Sequence, residues 1–119
     1  MKTDNVVQLK SYNFAVKVVR LSQYLVSEKR EFVLSKQLLR SGTSICANIE
    51  EAIGGQSKKD FIAKMSISYK EARETRYWIR LLFDTDYINE TTRSECLLLI
   101  DELLRIIGSI IKTSKVANS

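Results

Sequence analysis

Apolar residues recur along this chain at helical spacing in four runs, with hardly a residue that would interrupt a helix. In the first run Val7, Phe14, Val18, Leu21 and Leu25 fall on one face. Leu9, Tyr12, Val16, Val19 and Val26 form a second series on roughly the opposite side. This helix, expected over residues 5–26 with Asp4 as its N-cap, thus carries one apolar stripe more than a single core requires. The charged stretch 27–32 (SEKREF) reads as a loop. The second run, expected to be helical over 32–53, has the seam Leu34, Leu38, Gly42, Ile45, Ile49 and Ala52, and directly beside it a polar row of Gln37, Ser41, Ser44, Asn48 and Glu51. Gly54 and Gly55 then stop the helix, and Ser57 with Asp60 three residues on opens the next as a capping box.

The third helix, expected over 58–83, has a core face of Phe61, Met65, Ser68, Ala72, Thr75, Ile79 and Phe83. Its flanks differ: Tyr69, Arg73, Arg76 and Arg80 lie on one side, Glu71, Glu74 and Trp78 on the other. After the loop FDTDYINETT, Thr92 and Glu95 form a second capping box for a fourth helix over 92–112. Its apolar positions (Cys96, Leu97, Leu99, Ile100, Leu103, Leu104, Ile106, Ile107, Ile110 and Ile111) cover about half the circumference, against ~100° for a helix that faces only its own core. The tail TSKVANS is expected to fray. Four helices with short connections predict an all-α, up-down-up-down antiparallel four-helix bundle forming one domain over residues 1–119. The surplus apolar surface on the first and fourth helices predicts that the bundle is oligomeric.

Composition agrees with helix and narrows the chemistry. Proline is absent and glycine occurs four times. Hydrophobic content of 45% with 28% charged residues describes a folded chain and not a disordered one. The N-terminal MKTDNVVQLK lacks the apolar core of a signal peptide. The most apolar stretch, 96–111, is broken by Asp101, Glu102 and Arg105 and is too short to span a bilayer. A cytoplasmic protein without a membrane partner is therefore expected. Cys46 and Cys96 stand at apolar-side positions with no CxxC, which makes them buried, reduced thiols.

No histidine occurs, so a Glu-x-x-His dimetal site is excluded. No Ser/His or Cys/His pair and no phosphate-cradling glycine loop occurs either. Ser44, Asn48 and Glu51 beside Glu71 and Glu74 leave one metal arrangement open, an all-carboxylate site. The preferred reading of these five is a structural polar seam, whose hydrogen bonds between helices or subunits fix register. No enzymatic activity, cofactor or metal is expected.

Charge supplies the other candidate. The net charge is +5, with a sequence pI near 9.3. Residues 1–49 hold eight Lys/Arg against three Asp/Glu, and residues 50–119 hold eleven of each. Within the latter, 58–83 has seven basic and three acidic residues, so the excess belongs to the first three helices. Lys10, Lys17 and Arg20 on the first, Lys36 and Arg40 on the second, and Arg73, Arg76 and Arg80 on the third could contact phosphates, with Tyr69 and Tyr77 stacking on bases. The same cations could instead form a solvated face or intersubunit salt bridges.

The stretch SGTSICANIEEAIGGQSKKDFIAKMSISYKEARETRYWIRLL resembles the bacterial four-helix-bundle proteins encoded within intervening sequences of large-subunit ribosomal RNA genes. The densest agreement is Ser44-Ile45 with Asn48-Ile49 and Glu51, then 57–61 (SKKDF), then 71–75 (EARET) with Tyr77-Trp78. The first and fourth helices follow the family's length and register. Many relatives have glycine where Ala52 stands, and prolines before or within the second helix that this chain lacks. The resemblance implies a ring-shaped homopentamer, similar to the basic accessory protein of diversity-generating retroelements, which binds nucleic acid and a reverse transcriptase. Five copies of a +5 chain would carry +25. The resulting expectation is a non-enzymatic oligomer that binds RNA or DNA through basic helix faces. A structural or adaptor oligomer whose ligand is another protein is the alternative.

Overall fold

The computed structural model describes the backbone of residues 2–117 and the side chains of residues 6–116. Nearly all of it is four helices, α1 (Lys2–Ser27), α2 (Leu34–Ile53), α3 (Lys58–Asp84) and α4 (Glu90–Ala117). No strand occurs among the described residues. With no proline to stop it, α1 begins at Lys2, so Asp4 lies inside the helix and is not its cap. At the other end α4 continues through Ala117, where the sequence predicts fraying from residue 113. The last two residues of that tail lie outside the described residues.

The helix starts show what the periodicity leaves open. The N-cap position of α2 is Val33, which offers no side-chain acceptor. Glu31, buried although it belongs to the charged SEKREF stretch, supplies one. Its carboxylate accepts from the Ser35 amide at 2.7 Å and the Val33 amide at 3.3 Å, placing an anion at the positive end of the helix. The chain turns into this cap through Arg30, whose φ of 55° is left-handed. α3 starts as the sequence predicts, the Asp60 amide donating to Ser57 Oγ at 3.0 Å. α4 does not start at the Thr92–Glu95 box: Asn89 Oδ1 accepts from the Thr92 amide at 2.8 Å, and the helix opens at Glu90. Asparagine is the better N-cap of the two, and Ile88 before it is buried in the core, which fixes where the chain enters. The glycines ending α2 act without positive φ. A Cβ on Gly55 would lie 2.5 Å from Asp60 Oδ2, so this position serves close approach between the end of α2 and the start of α3.

Each helix packs against the next in sequence, and α1 also meets α4. The cross-links fix the pairing. Gln8 donates to Glu50 at 2.7 Å and Ser22 to the Ser35 carbonyl at 3.1 Å, joining opposite ends of α1 and α2. Lys64 pairs with Glu51 at 3.0 Å, and Ser68 donates to the Ile45 carbonyl at 2.8 Å, between α2 and α3. Arg76 donates to Asp101 at 2.8 Å between α3 and α4. The core these seams enclose contains Phe14, Val18 and Leu25; Leu38, Ile45 and Ile49; Met65, Ile79 and Leu82; and Ile100, Leu103 and Ile107. In α3 it is Leu82, not Phe83, that is innermost at the end, because a 3.6-residue helix drifts from a heptad frame. Phe83 is half-buried beneath the Arg93 guanidinium, 4.7 Å from its ring centre. Among the described residues no helix is long and apolar enough to cross a membrane.

Candidate nucleic-acid interface

The polar row along α2 divides into two kinds of residue. Ser44 donates to the Arg40 carbonyl at 2.7 Å and Asn48 to the Ser44 carbonyl at 2.8 Å, both within α2. Short polar side chains in a helix bond back to the preceding turn when nothing opposite receives them. Neither residue therefore links the helices of this chain. The buried cross-links come from Ser41 and from two residues the spacing assigns to the apolar face of α3. The Thr75 and Ser41 hydroxyls meet at 2.9 Å, and Ser68 reaches the Ile45 backbone. No buried side-chain nitrogen or oxygen among the described residues lacks a partner.

Carboxylates of the seam bridge α2 and α3 as surface ion pairs. Glu51 takes Lys64, while Glu71 and Glu74 both take Arg40. Glu74 also accepts from Trp78 Nε1 at 3.0 Å. Glu71 and Glu74 thus turn their oxygens to one guanidinium, that of Arg40, which is a cation of the chain itself. No group of three or more His, Cys, Asp or Glu among the described residues is arranged to hold a metal ion.

The same pairing sorts the basic candidates. Lys10 lies 3.3 Å from Glu102, Lys17 3.4 Å from Glu95, Arg40 against Glu71 and Glu74, and Arg76 against Asp101. Half of the eight phosphate-binding candidates are thus engaged between helices. Arg20, Lys36, Arg73 and Arg80 are exposed and form no ion pair among the described residues. Arg73 and Arg80 stand two helical turns apart on α3, ~10.5 Å along its axis. With Tyr69, Arg76, Tyr77 and Leu104 they line an open groove of about 360 Å³ between α3 and α4. Tyr69, half-buried, lies close against α4 at Gly108, where a Cβ would come within 3.3 Å of the ring. Tyr77 is 51% exposed and meets Trp78 edge-on, with centroids 4.8 Å apart and planes at 64°. The chain Arg40–Glu74–Trp78–Tyr77, which steadies this ring from α2, is not apparent from charge or hydropathy. Its one local signal is the four-residue step from Glu74 to Trp78.

A second surface is apolar. Leu9, at 62% exposure, Tyr12 and Val26 stand out from α1, with Val16 and Val19 half-buried. Tyr12, Val16, Val19 and Arg20 border a shallow groove of their own. On α4 Leu98 is 71% exposed. The two cysteines are buried and unpaired, and burial pushes both thiols above their ordinary pKa.

The sequence model of the 23S rRNA-intervening sequence protein family matches residues 3–109. A crystal structure at 1.70 Å resolution of a protein with unknown function, from the S23 ribosomal protein family of Bacteroides thetaiotaomicron VPI-5482, superposes with a TM-score of 0.91. It shares 51% sequence identity over 92% of this chain and 98% of that one. No curated protein matches the chain.

Proposed function

The chain belongs to the 23S rRNA-intervening sequence protein family, and from that premise we propose a cytoplasmic, non-enzymatic protein that self-assembles and binds nucleic acid through α3. Its fold in this reading is an up-down-up-down bundle, and its assembly is the homopentamer that the family resemblance implies. The observation that carries the binding reading is that Arg73 and Arg80, beside Tyr69 and Tyr77, form no ion pair among the described residues, while the neighbouring Arg76 is held by Asp101. Unpaired arginines release counterions when they meet phosphate, and they release more where copies of the site are repeated on one particle. RNA is the first ligand to test, DNA the second.

Filter binding of structured RNA at rising salt tests the reading. Affinity should fall with salt; no binding at low salt, or binding indifferent to salt, overturns it. Arg73→Gln with Arg80→Gln should weaken binding and flatten the log–log salt slope by ~0.7–0.9 for each phosphate that is no longer neutralised. Lys10→Gln with Lys17→Gln removes the same charge from paired positions and should leave binding nearly unchanged. Light scattering tests the assembly, which the exposed α1 stripe of Leu9, Tyr12 and Val26 supports; a monomer at all concentrations removes it. That stripe also supports the adaptor alternative, in which a different protein covers α1 and the two arginine substitutions have no consequence.

A further inference from the structure

Resting on the nucleic-acid reading of the α3 groove, we propose that the groove takes a single strand, with one base stacked on Tyr77, in preference to a duplex. Tyr77 lies four residues after Arg73 and three before Arg80, so all three share the outward face of α3. The arginines are ~10.5 Å apart along the helix axis with the ring between them. A base resting on Tyr77 would therefore have phosphates on either side within reach of a guanidinium.

The ring is already ordered for this. It meets Trp78 with the two ring planes steeply inclined, and the indole nitrogen of Trp78 is held by Glu74, which in turn is held by Arg40 of the neighbouring helix. Half its surface nevertheless remains open. An aromatic platform fixed before the ligand arrives loses little freedom on binding. Leu104 and the ring of the partly buried Tyr69 add apolar surface to the groove, which suits the flat face of a base. A duplex presents phosphates while its bases stack on each other, so it could engage Arg73 and Arg80 but not Tyr77. Bases of a single strand are free to stack on an aromatic ring. Among the described residues no carboxylate or amide side chain lines the groove, so the site should tolerate any base sequence.

Fluorescence anisotropy with a single-stranded RNA and a blunt RNA duplex of equal length tests this on the full chain. Trp78 is the only tryptophan, and its contact with Tyr77 makes its emission a second readout. Stacking on one ring corresponds to roughly a five- to 150-fold gain in affinity. Tyr77→Leu should therefore weaken single-strand binding at least about five-fold while duplex binding holds. Tyr77→Phe should restore the single-strand affinity. Trp78 emission should respond to the single strand in the native chain and much less in Tyr77→Leu. Equal binding of both RNAs, unaffected by Tyr77→Leu, overturns the stacking proposal and leaves the charge-based reading standing. Failure of both RNAs to bind overturns the two together. If Tyr77→Leu changes the particle mass in light scattering and spares single-strand binding, the open ring is a subunit contact and the proposal falls.

Discussion

Gly42→Ala sets two opposed effects against each other. Gly42 is buried in the interior of α2 where it crosses α1. By helix propensity alone, alanine in a helix interior is ~0.8–1.0 kcal/mol better than glycine. The crossing opposes this. A Cβ at residue 42 would stand 2.6 and 2.8 Å from the two methyls of Val18 and 3.1 Å from its Cβ. Because the branch carbon is also involved, rotation about χ1 does not clear the contact, and valine in a helix has one strongly preferred rotamer in any case. Bringing 2.6 Å out to ordinary carbon contact requires α1 and α2 to separate by ~1 Å. Overpacking of this kind costs ~1–3 kcal/mol, so the net expectation is a loss of ~1 kcal/mol, with a lower melting temperature. Val18→Ala opens the space at the same point. Alone it should cost ~1–2 kcal/mol; combined with Gly42→Ala the two should be less harmful than their sum, by ~1 kcal/mol or more. Urea unfolding of the four chains measures this, repeated at several protein concentrations because association would shift apparent stability. A rise of ~1 kcal/mol for Gly42→Ala, or strict additivity of the pair, would refute the close crossing.

Other contacts are equally open to test. Glu31→Ala removes the acceptor for two amides at the start of α2 and should cost ~1–2 kcal/mol in urea unfolding, Glu31→Gln less; no loss in either variant would contradict the cap. Thr75→Val deprives the buried Ser41 hydroxyl of its cross-helix partner and should cost ~1–3 kcal/mol, while Thr43→Val, at a half-buried position whose hydroxyl bonds only within α2, should cost less. For the thiols, folding raises both pKa values, Cys96 chiefly through burial, so folded protein holds them protonated more firmly than unfolded chain. The corresponding stability is complete below the ordinary thiol pKa and declines as pH climbs through the raised values. Alkylation near pH 8 should accordingly be much slower in folded protein than in urea, and equal rates would show that the thiols are accessible.

The four apolar faces were legible because helical spacing is local: whichever neighbour arrives, Val7, Phe14 and Val18 must share a side. Helix ends depend on what lies beyond the helix. Thr92 with Glu95 and Asn89 with Thr92 are both sound caps as sequence. The choice falls to Asn89 because Ile88, in an apparently polar loop, is buried and anchors the chain one residue earlier. Glu31 makes the same point, since a charged run signals a solvated loop, yet one of its charges is buried to terminate a helix. The polar seam was legible as a row but not in its partners. Ser44 and Asn48 have the right spacing to reach α3 and instead bond within α2, whereas Thr75 and Ser68, on the apolar face, make the cross-links.

Charge counted by helix misleads for a related reason. α4 contributes no net charge to the tally, yet Glu95, Asp101 and Glu102 all face cations of other helices. They neutralise Lys17, Arg76 and Lys10 at the seams and so remove these from the surface available to a polyanion. Exposed pairs of this kind contribute only ~0–1 kcal/mol each to stability, but each sets which cations remain unpaired. Of those remaining, Arg20 borders the apolar groove of α1 and Lys36 stands apart on α2, whereas Arg73 and Arg80 share one groove with two tyrosines. The salt dependence of RNA binding should therefore scale with the number of Arg73–Arg80 pairs in the particle and not with its formal charge. Neutralising those two positions alone should remove most of it.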